Sequence, residues 1–165
     1  MKKTLLLLSV LLTSLSMFAQ ENLSRIAGTV ATASGNEGDL VAANAIDGDK
    51  GTRWGSNFEE NTDSEWFQIE WTSAQAFNTV KLLCEGAMSA GNASALAFDI
   101  LTSNDGSTWT TQTQVTGKNA GNNEYLTVTF SEVTAKFVRF QGVKKGNYGY
   151  TFYEFEVYNI DYAAQ

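Results

Sequence analysis

The stretch Trp66-Phe67-Gln68-Ile69-Glu70-Trp71 alternates strictly, placing Phe67, Ile69 and Trp71 on one face of an extended chain and Gln68 and Glu70 on the other. A helix repeats its faces every three to four residues, so this pattern predicts a half-buried strand in an antiparallel sheet. Comparable runs occupy 77–84, 125–130, 136–141 and 152–158. Another covers 96–102, with Leu96, Phe98 and Ile100 opposite Ala97, Asp99 and Leu101, and a strand rich in Thr, Val and Ala is expected over 26–34. Turn residues separate the runs: loops are expected at 36–39, 85–94 and 117–123, and Asn104-Asp105-Gly106-Ser107 reads as a hairpin turn leading Trp109 into the next strand. The chain has no proline, so Gly, Asn and Asp supply the turns. At least seven short strands with little amphipathic helix predict an all-β fold, an antiparallel β-sandwich or jelly roll.

The first 19 residues stand apart. Lys2-Lys3, an apolar run over 5–12 and a segment ending Ser16-Met17-Phe18-Ala19 read as a secretory signal peptide, too short in its apolar part to span a bilayer. The expectation is an exported, secreted domain over 20–165 that does not insert into a membrane. No cysteine follows the apolar run, so no lipoprotein anchor is indicated. Setting the leader aside leaves 9 basic residues against 18 acidic, a net charge of −9, which makes nucleic acid and anionic membrane poor partners. Cys84 is the sole cysteine, so no intramolecular disulfide forms; it sits in an apolar run and reads as a small buried hydrophobe.

The absence of histidine removes Ser-His-Asp and Cys-His catalysis, and one cysteine leaves little for a zinc site. A glycosidase carboxylate pair is the remaining catalytic route, but a small sandwich without an attached catalytic domain reads as a binding module rather than an enzyme. Asn44-Ala45-Ile46-Asp47-Gly48-Asp49-Lys50-Gly51-Thr52-Arg53-Trp54 gathers Asp47, Asp49 and Thr52 around a glycine that permits a tight turn. Hard oxygen donors so close together suit calcium, while the same residues also make an ordinary surface Asp-Gly turn.

Five blocks together resemble the discoidin family, also called the coagulation factor V/VIII type C domain, and most closely its bacterial branch, the family 32 carbohydrate-binding modules. They are Ala-Ile-Asp-Gly-Asp…Thr-Arg-Trp at 45–54, Glu65-Trp66-Phe67-Gln68-Ile69, Ser103-Asn104-Asp105-Gly106-Ser107-Thr108-Trp109, Ala135-Lys136-Phe137-Val138-Arg139-Phe140 and Glu154-Phe155-Glu156-Val157-Tyr158. The resemblance implies a discoidin-like, galactose-binding-domain-like sandwich. It also implies a structural calcium ion held by Asn44 through its carbonyl, Asp47, Asp49, Thr52, Tyr153 and Glu154, clamping an early loop to the last strand. It places Glu156 against a base, Arg53 and Arg139 in internal ion pairs, and Trp54, Trp66, Trp71 and Trp109 in or near the core.

Sugar binding requires an aromatic face for C–H groups and planar polar groups for hydroxyls, displayed on loops. The loops 56–64, 85–94 and 144–150 supply Phe58, Tyr148 and Tyr150 for stacking and Glu59, Asn61, Glu85, Asn92 and Asn147 for hydroxyls. Galactose-binding relatives use a loop histidine and arginine; this chain has no histidine, and Arg25, Arg53 and Arg139 lie outside those loops. The expected function is thus a secreted, monomeric, lectin-like module binding a glycan at one end of the sandwich. The alternative is an adhesion or scaffold protein taking a protein or lipid partner through the same loops.

Overall fold

The computed structural model describes residues 20–59, 62–84, 95–117, 120, 123–147 and 149–164. Its strands are β1 (Val30–Ala33), β2 (Trp54–Gly55), β3 (Trp66–Cys84), β4 (Ala95–Ser103), β5 (Thr110–Thr116), β6 (Tyr125–Lys145) and β7 (Thr151–Tyr158), and every pairing between them is antiparallel. Short 3₁₀ turns cover Leu23–Arg25, Ala42–Ala45 and Tyr162–Ala164. Among the described residues no helix is long and apolar enough to cross a membrane.

Two pairs of expected strands turn out to be halves of longer ones. The runs 66–71 and 77–84 belong to the 19-residue β3, and 125–130 and 136–141 to the 21-residue β6. Their register shifts between Glu70 and Gln75 and again between Phe77 and Thr79. Before the shifts, β3 pairs with β1 and with 137–141 of β6, which continues to β4 and then β5. After them, β3 pairs with 125–129 of β6 and with β7, which takes β2 on its far side. One hydrogen-bonded sheet thereby folds into the two layers of the expected β-sandwich, with bulges supplying the bend.

A bulge also changes which parity faces inward. Phe67, Ile69, Trp71 and Phe77 are buried before the second shift, and Val80, Leu82 and Cys84 after it. A similar irregularity opposite Leu83 and Cys84 lets both Phe152 and Phe155 enter the core and leaves Glu154 and Glu156 on the other side of β7. The expected strand over 26–34 begins only at Val30, because Thr29 folds back to donate both its N–H and its hydroxyl to the Ile26 carbonyl.

Aromatic rings dominate the core. Phe67 is fully buried, with its ring centre 5.5 Å from that of Trp54 and 5.1 Å from those of Phe152 and Phe155. Phe140 stacks on Phe98 at 4.8 Å. Trp54 and Trp71 are buried and satisfy their indole N–H groups on the carbonyls of Gly35 and Leu23. Trp66 and Trp109 are only half-buried, and Arg139 lies between them with Cζ 4.3 Å and 3.8 Å from the two ring centres. Its Nε and Nη2 donate to Gln68 Oε1, so among the described residues Arg139 is held by cation–π stacking and an amide rather than by the expected ion pair. Cys84 is buried as expected, and burial pushes its thiol up to about 11.

The loops at one end are anchored by a buried strut. Tyr150 is 1% exposed, packs edge-on against Phe140 and donates its hydroxyl to the Asp63 carbonyl at 2.6 Å. Its backbone exchanges bonds with Ser56: Ser56 N–H donates to the Tyr150 carbonyl and Tyr150 N–H to Ser56 Oγ. Gly142 is required beneath it, since a Cβ there would meet the phenol ring at 2.4 Å.

Two outcomes test this packing. Phe67→Ala lowers the unfolding free energy by about 3–5 kcal/mol in urea titrations, because the rings around it cannot close the cavity. Tyr150→Phe retains the ring and loses one hydrogen bond, costing about 0.5–1.5 kcal/mol, and speeds amide exchange in the segment around Asp63.

Candidate functional site

Two groups of residues emerge, joined by the two-residue strand β2. The first is the acidic loop. Asp47 Oδ1 accepts the Asp49 N–H at 2.7 Å and Oδ2 accepts the Thr52 hydroxyl at 2.7 Å, while Asp49 Oδ1 accepts the Gly51 N–H at 2.8 Å. Thr52 donates both its N–H and its hydroxyl to the Asp49 carbonyl. Gly48, with φ of 87°, takes the left-handed turn that its type allows. Asn44 braces the base of the loop by donating its amide to the carbonyls of Asp39 and Arg53, each at 3.0 Å.

Glu154 faces this loop from β7, with Tyr153 half-buried beside it. Its side chain is fully buried, and neither carboxylate oxygen makes a well-directed hydrogen bond. Arg25 Nη2 lies 2.9 Å from Glu154 Oε2 and 3.5 Å from Glu156 Oε1. Burial raises the Glu154 pKa, Arg25 opposes the rise, and the charges of Asp47 and Glu156 add to it. Glu156 meets a base as expected, but shares it with Glu154, and also accepts the hydroxyls of Tyr125 and Tyr158 at 2.9 and 2.8 Å.

These donors suit a hard divalent cation in kind: an orphaned buried carboxylate oxygen, a second carboxylate within electrostatic reach and a threonine hydroxyl. Among the described residues no three of His, Cys, Asp and Glu form a metal-holding cluster, so the Thr52 hydroxyl and backbone carbonyls are needed to complete the set.

The second group lies on the loops beyond β2. Phe58 is half-buried over Gly149, where a Cβ would stand 3.3 Å from Phe58 Cδ1 and 2.5 Å from Ser56 Oγ. The Phe58 N–H donates to Glu37 Oε2 at 3.2 Å. Glu59 is exposed next to it, its N–H capped by Asn57 Oδ1, and Asn147 is exposed on the neighbouring loop. Asp63 receives the Lys145 N–H at 2.9 Å and lies 3.6 Å from the Lys144 ammonium, contacts that lower its pKa.

Of the expected sugar-binding residues, Phe58 and Glu59 are adjacent at this end and Asn147 is exposed there. Tyr150 is corrected: it is a core residue whose buried ring offers no face for stacking. Asn61, Glu85, Asn92 and Tyr148 lie outside the described residues. Sequence reasoning missed Glu37 and Arg25. Glu37 bonds to a backbone 21 positions away, which no local pattern reveals. For Arg25 the available signal was an unassigned base in a chain with an acidic loop and a Glu-x-Glu strand.

The fold and these groups can be set beside known proteins. The model of the F5/8 type C domain matches residues 30–155. Chitosan-binding module 1 of a chitosanase/glucanase from Paenibacillus sp. IK-5 is 37% identical, with a TM-score of 0.70, covering 84% of this chain and 99% of its own. Module 2 of that enzyme, solved with chitotriose, is 33% identical, with a TM-score of 0.66, covering 80% of this chain and 97% of its own. The family 32 module of Clostridium perfringens NanJ, solved with galactose, shares the fold at 21% identity and a TM-score of 0.66, covering 80% of this chain and 94% of its own. Comparison with curated proteins finds no match. The sandwich, the acidic loop facing the last strand and the match over 30–155 together place this chain in the F5/8 type C domain family, among folds shared with the family 32 carbohydrate-binding modules.

Proposed function

We propose that this domain is an exported, non-catalytic module that binds a glucosamine-rich glycan of the chitosan type at the loop end, through Phe58, Glu37, Glu59 and Asn147. The observation that carries the reading is the setting of Phe58, whose ring lies over a side-chain-free Gly149, with the Glu37 carboxylate on its backbone N–H and the exposed Glu59 next in the chain. A partly exposed ring accepts the C–H face of a pyranose, and carboxylates pair with the ammonium group that distinguishes glucosamine from neutral sugars. The acidic balance of the chain favours a polycationic ligand. Similarity to the two chitosan-binding modules supports the same class.

We also propose that a calcium ion occupies the acidic loop, held by Asp47, Thr52 and Glu154 with Asp49, Asn44 and Tyr153 lining the same space. Bound there, it neutralises the buried carboxylate and ties the loop to β7. Residues 52 and 53 lead straight into β2 and then to Ser56 and Phe58, so a fixed acidic loop orients the sugar-binding segment. Asp47 holds the turn through the Asp49 N–H and the Thr52 hydroxyl, and Glu154 would reach the ion from the strand side.

Isothermal titration with glucosamine oligomers gives dissociation constants of roughly micromolar to millimolar, as one ring and a few charged contacts allow. Glu59→Gln and Glu37→Gln each weaken binding on the order of tenfold, and added salt weakens it in the wild type. Equal affinity for neutral galactose oligomers, or amide shifts confined to the opposite end of the sandwich, refutes the assignment. For the ion, calcium raises the melting temperature relative to chelator, Asp47→Ala and Glu154→Ala abolish most of the rise, and Asp105→Ala in the distant hairpin leaves it intact.

A further inference from the structure

The space between the acidic loop and β7 already contains a cation. The Arg25 guanidinium reaches Glu154 and Glu156 on one side, and on the other lies against the loop: a Cβ at Gly48 would stand 3.2 Å from both Arg25 Cζ and Nη1. The backbone bearing Arg25 is held independently of that side chain. Asn22 Oδ1 accepts the N–H groups of Ser24 and Val157, and the Leu23 carbonyl accepts the Trp71 indole N–H at 2.8 Å. Arg25 itself is 37% exposed along its side chain, whereas Glu154 is fully buried and keeps Oε1 without a hydrogen-bond partner. One guanidinium thus pairs with two carboxylates, those of Glu154 and Glu156, while the charge of Asp47 also bears on Glu154, and a buried acceptor is left unsatisfied.

We propose that Arg25 is the resident counter-cation of this site, competing with a divalent ion for Glu154 and keeping the loop closed on β7 when no ion is bound. The inference rests on the calcium reading above. A fixed positive charge sharing the ligand must weaken calcium binding, because like charges a few ångströms apart repel even under strong screening. It must also lessen the damage of losing calcium, because Glu154 is never left buried and uncompensated. The domain would then keep its fold when exported into calcium-poor surroundings and tighten when calcium is present.

The experiment compares wild type, Arg25→Gln and Arg25→Lys by calorimetric calcium titration and by thermal melting in calcium and in chelator. Arg25→Gln binds calcium on the order of tenfold more tightly than wild type, melts lower in chelator and shows a larger calcium-induced rise. Arg25→Lys, which retains the charge, stays close to wild type in calcium affinity. An Arg25→Gln protein that folds only with calcium supports the proposal equally. Calcium binding to wild type with an unchanged or weaker affinity in Arg25→Gln overturns it and leaves the calcium reading standing. Absence of calcium binding in all three proteins overturns both. If Arg25→Gln folds under neither condition, the wild-type Arg25 Nε resonance decides: it shifts along the calcium titration if the ion displaces the guanidinium, and a static resonance refutes the competition.

Discussion

The pairing of β3 with β6 is the constraint on which the rest of the molecule depends. Both strands run through the bend between the layers, so the same hydrogen-bonded ladder supports β1, β4 and β5 on one side and β7 and β2 on the other. The two sheets therefore need no separate docking event. Aromatic side chains fill the interlayer space because the parity changes at the bulges point Phe67, Phe77, Phe140 and Phe152 inward from strands of different phase. An insertion within either long strand would disturb both layers together.

The candidate sites lie where this scaffold ends. β2 is only two residues long, yet it separates the acidic loop from Phe58 and is fixed through the Trp54 and Thr151 pair of strand ends: Thr151 donates its hydroxyl to the Trp54 carbonyl at 2.8 Å. Charge and packing are thus arranged in series, with ionic contacts setting one end of a short rigid segment and a ring over glycine at the other. Such an arrangement suits a recognition surface that is preformed and loses little entropy on meeting its ligand.

Much of this was legible in the sequence because strand alternation is a local signal. Trp66 to Trp71 declared its faces, and Asp105-Gly106 declared a turn that the structure contains, with Gly106 at φ of 72°. The join between the two halves of β3 was not legible, since Ser73 to Ala76 carries no strong apolar period and a bulge erases the phase on either side. Tyr150 was misassigned for a related reason: residues near a loop read as exposed, while its burial depends on Gly142, a neighbour in space and not in sequence. Glu37 and Arg25 escaped notice because each works through partners far along the chain, at Phe58 and at Glu154.

Cys84 carries a consequence of a different kind. Under oxidising conditions a lone thiol ordinarily invites a covalent dimer, or a mixed disulfide with a small thiol. Here the sulfur is 1% exposed, hydrogen-bonded to the Leu82 carbonyl at 3.4 Å and held in its protonated form by burial. The nucleophile for exchange is the thiolate, which this environment withholds and shields from collision. The folded chain therefore withholds its thiol from disulfide exchange, and copies brought close together do not become cross-linked through it.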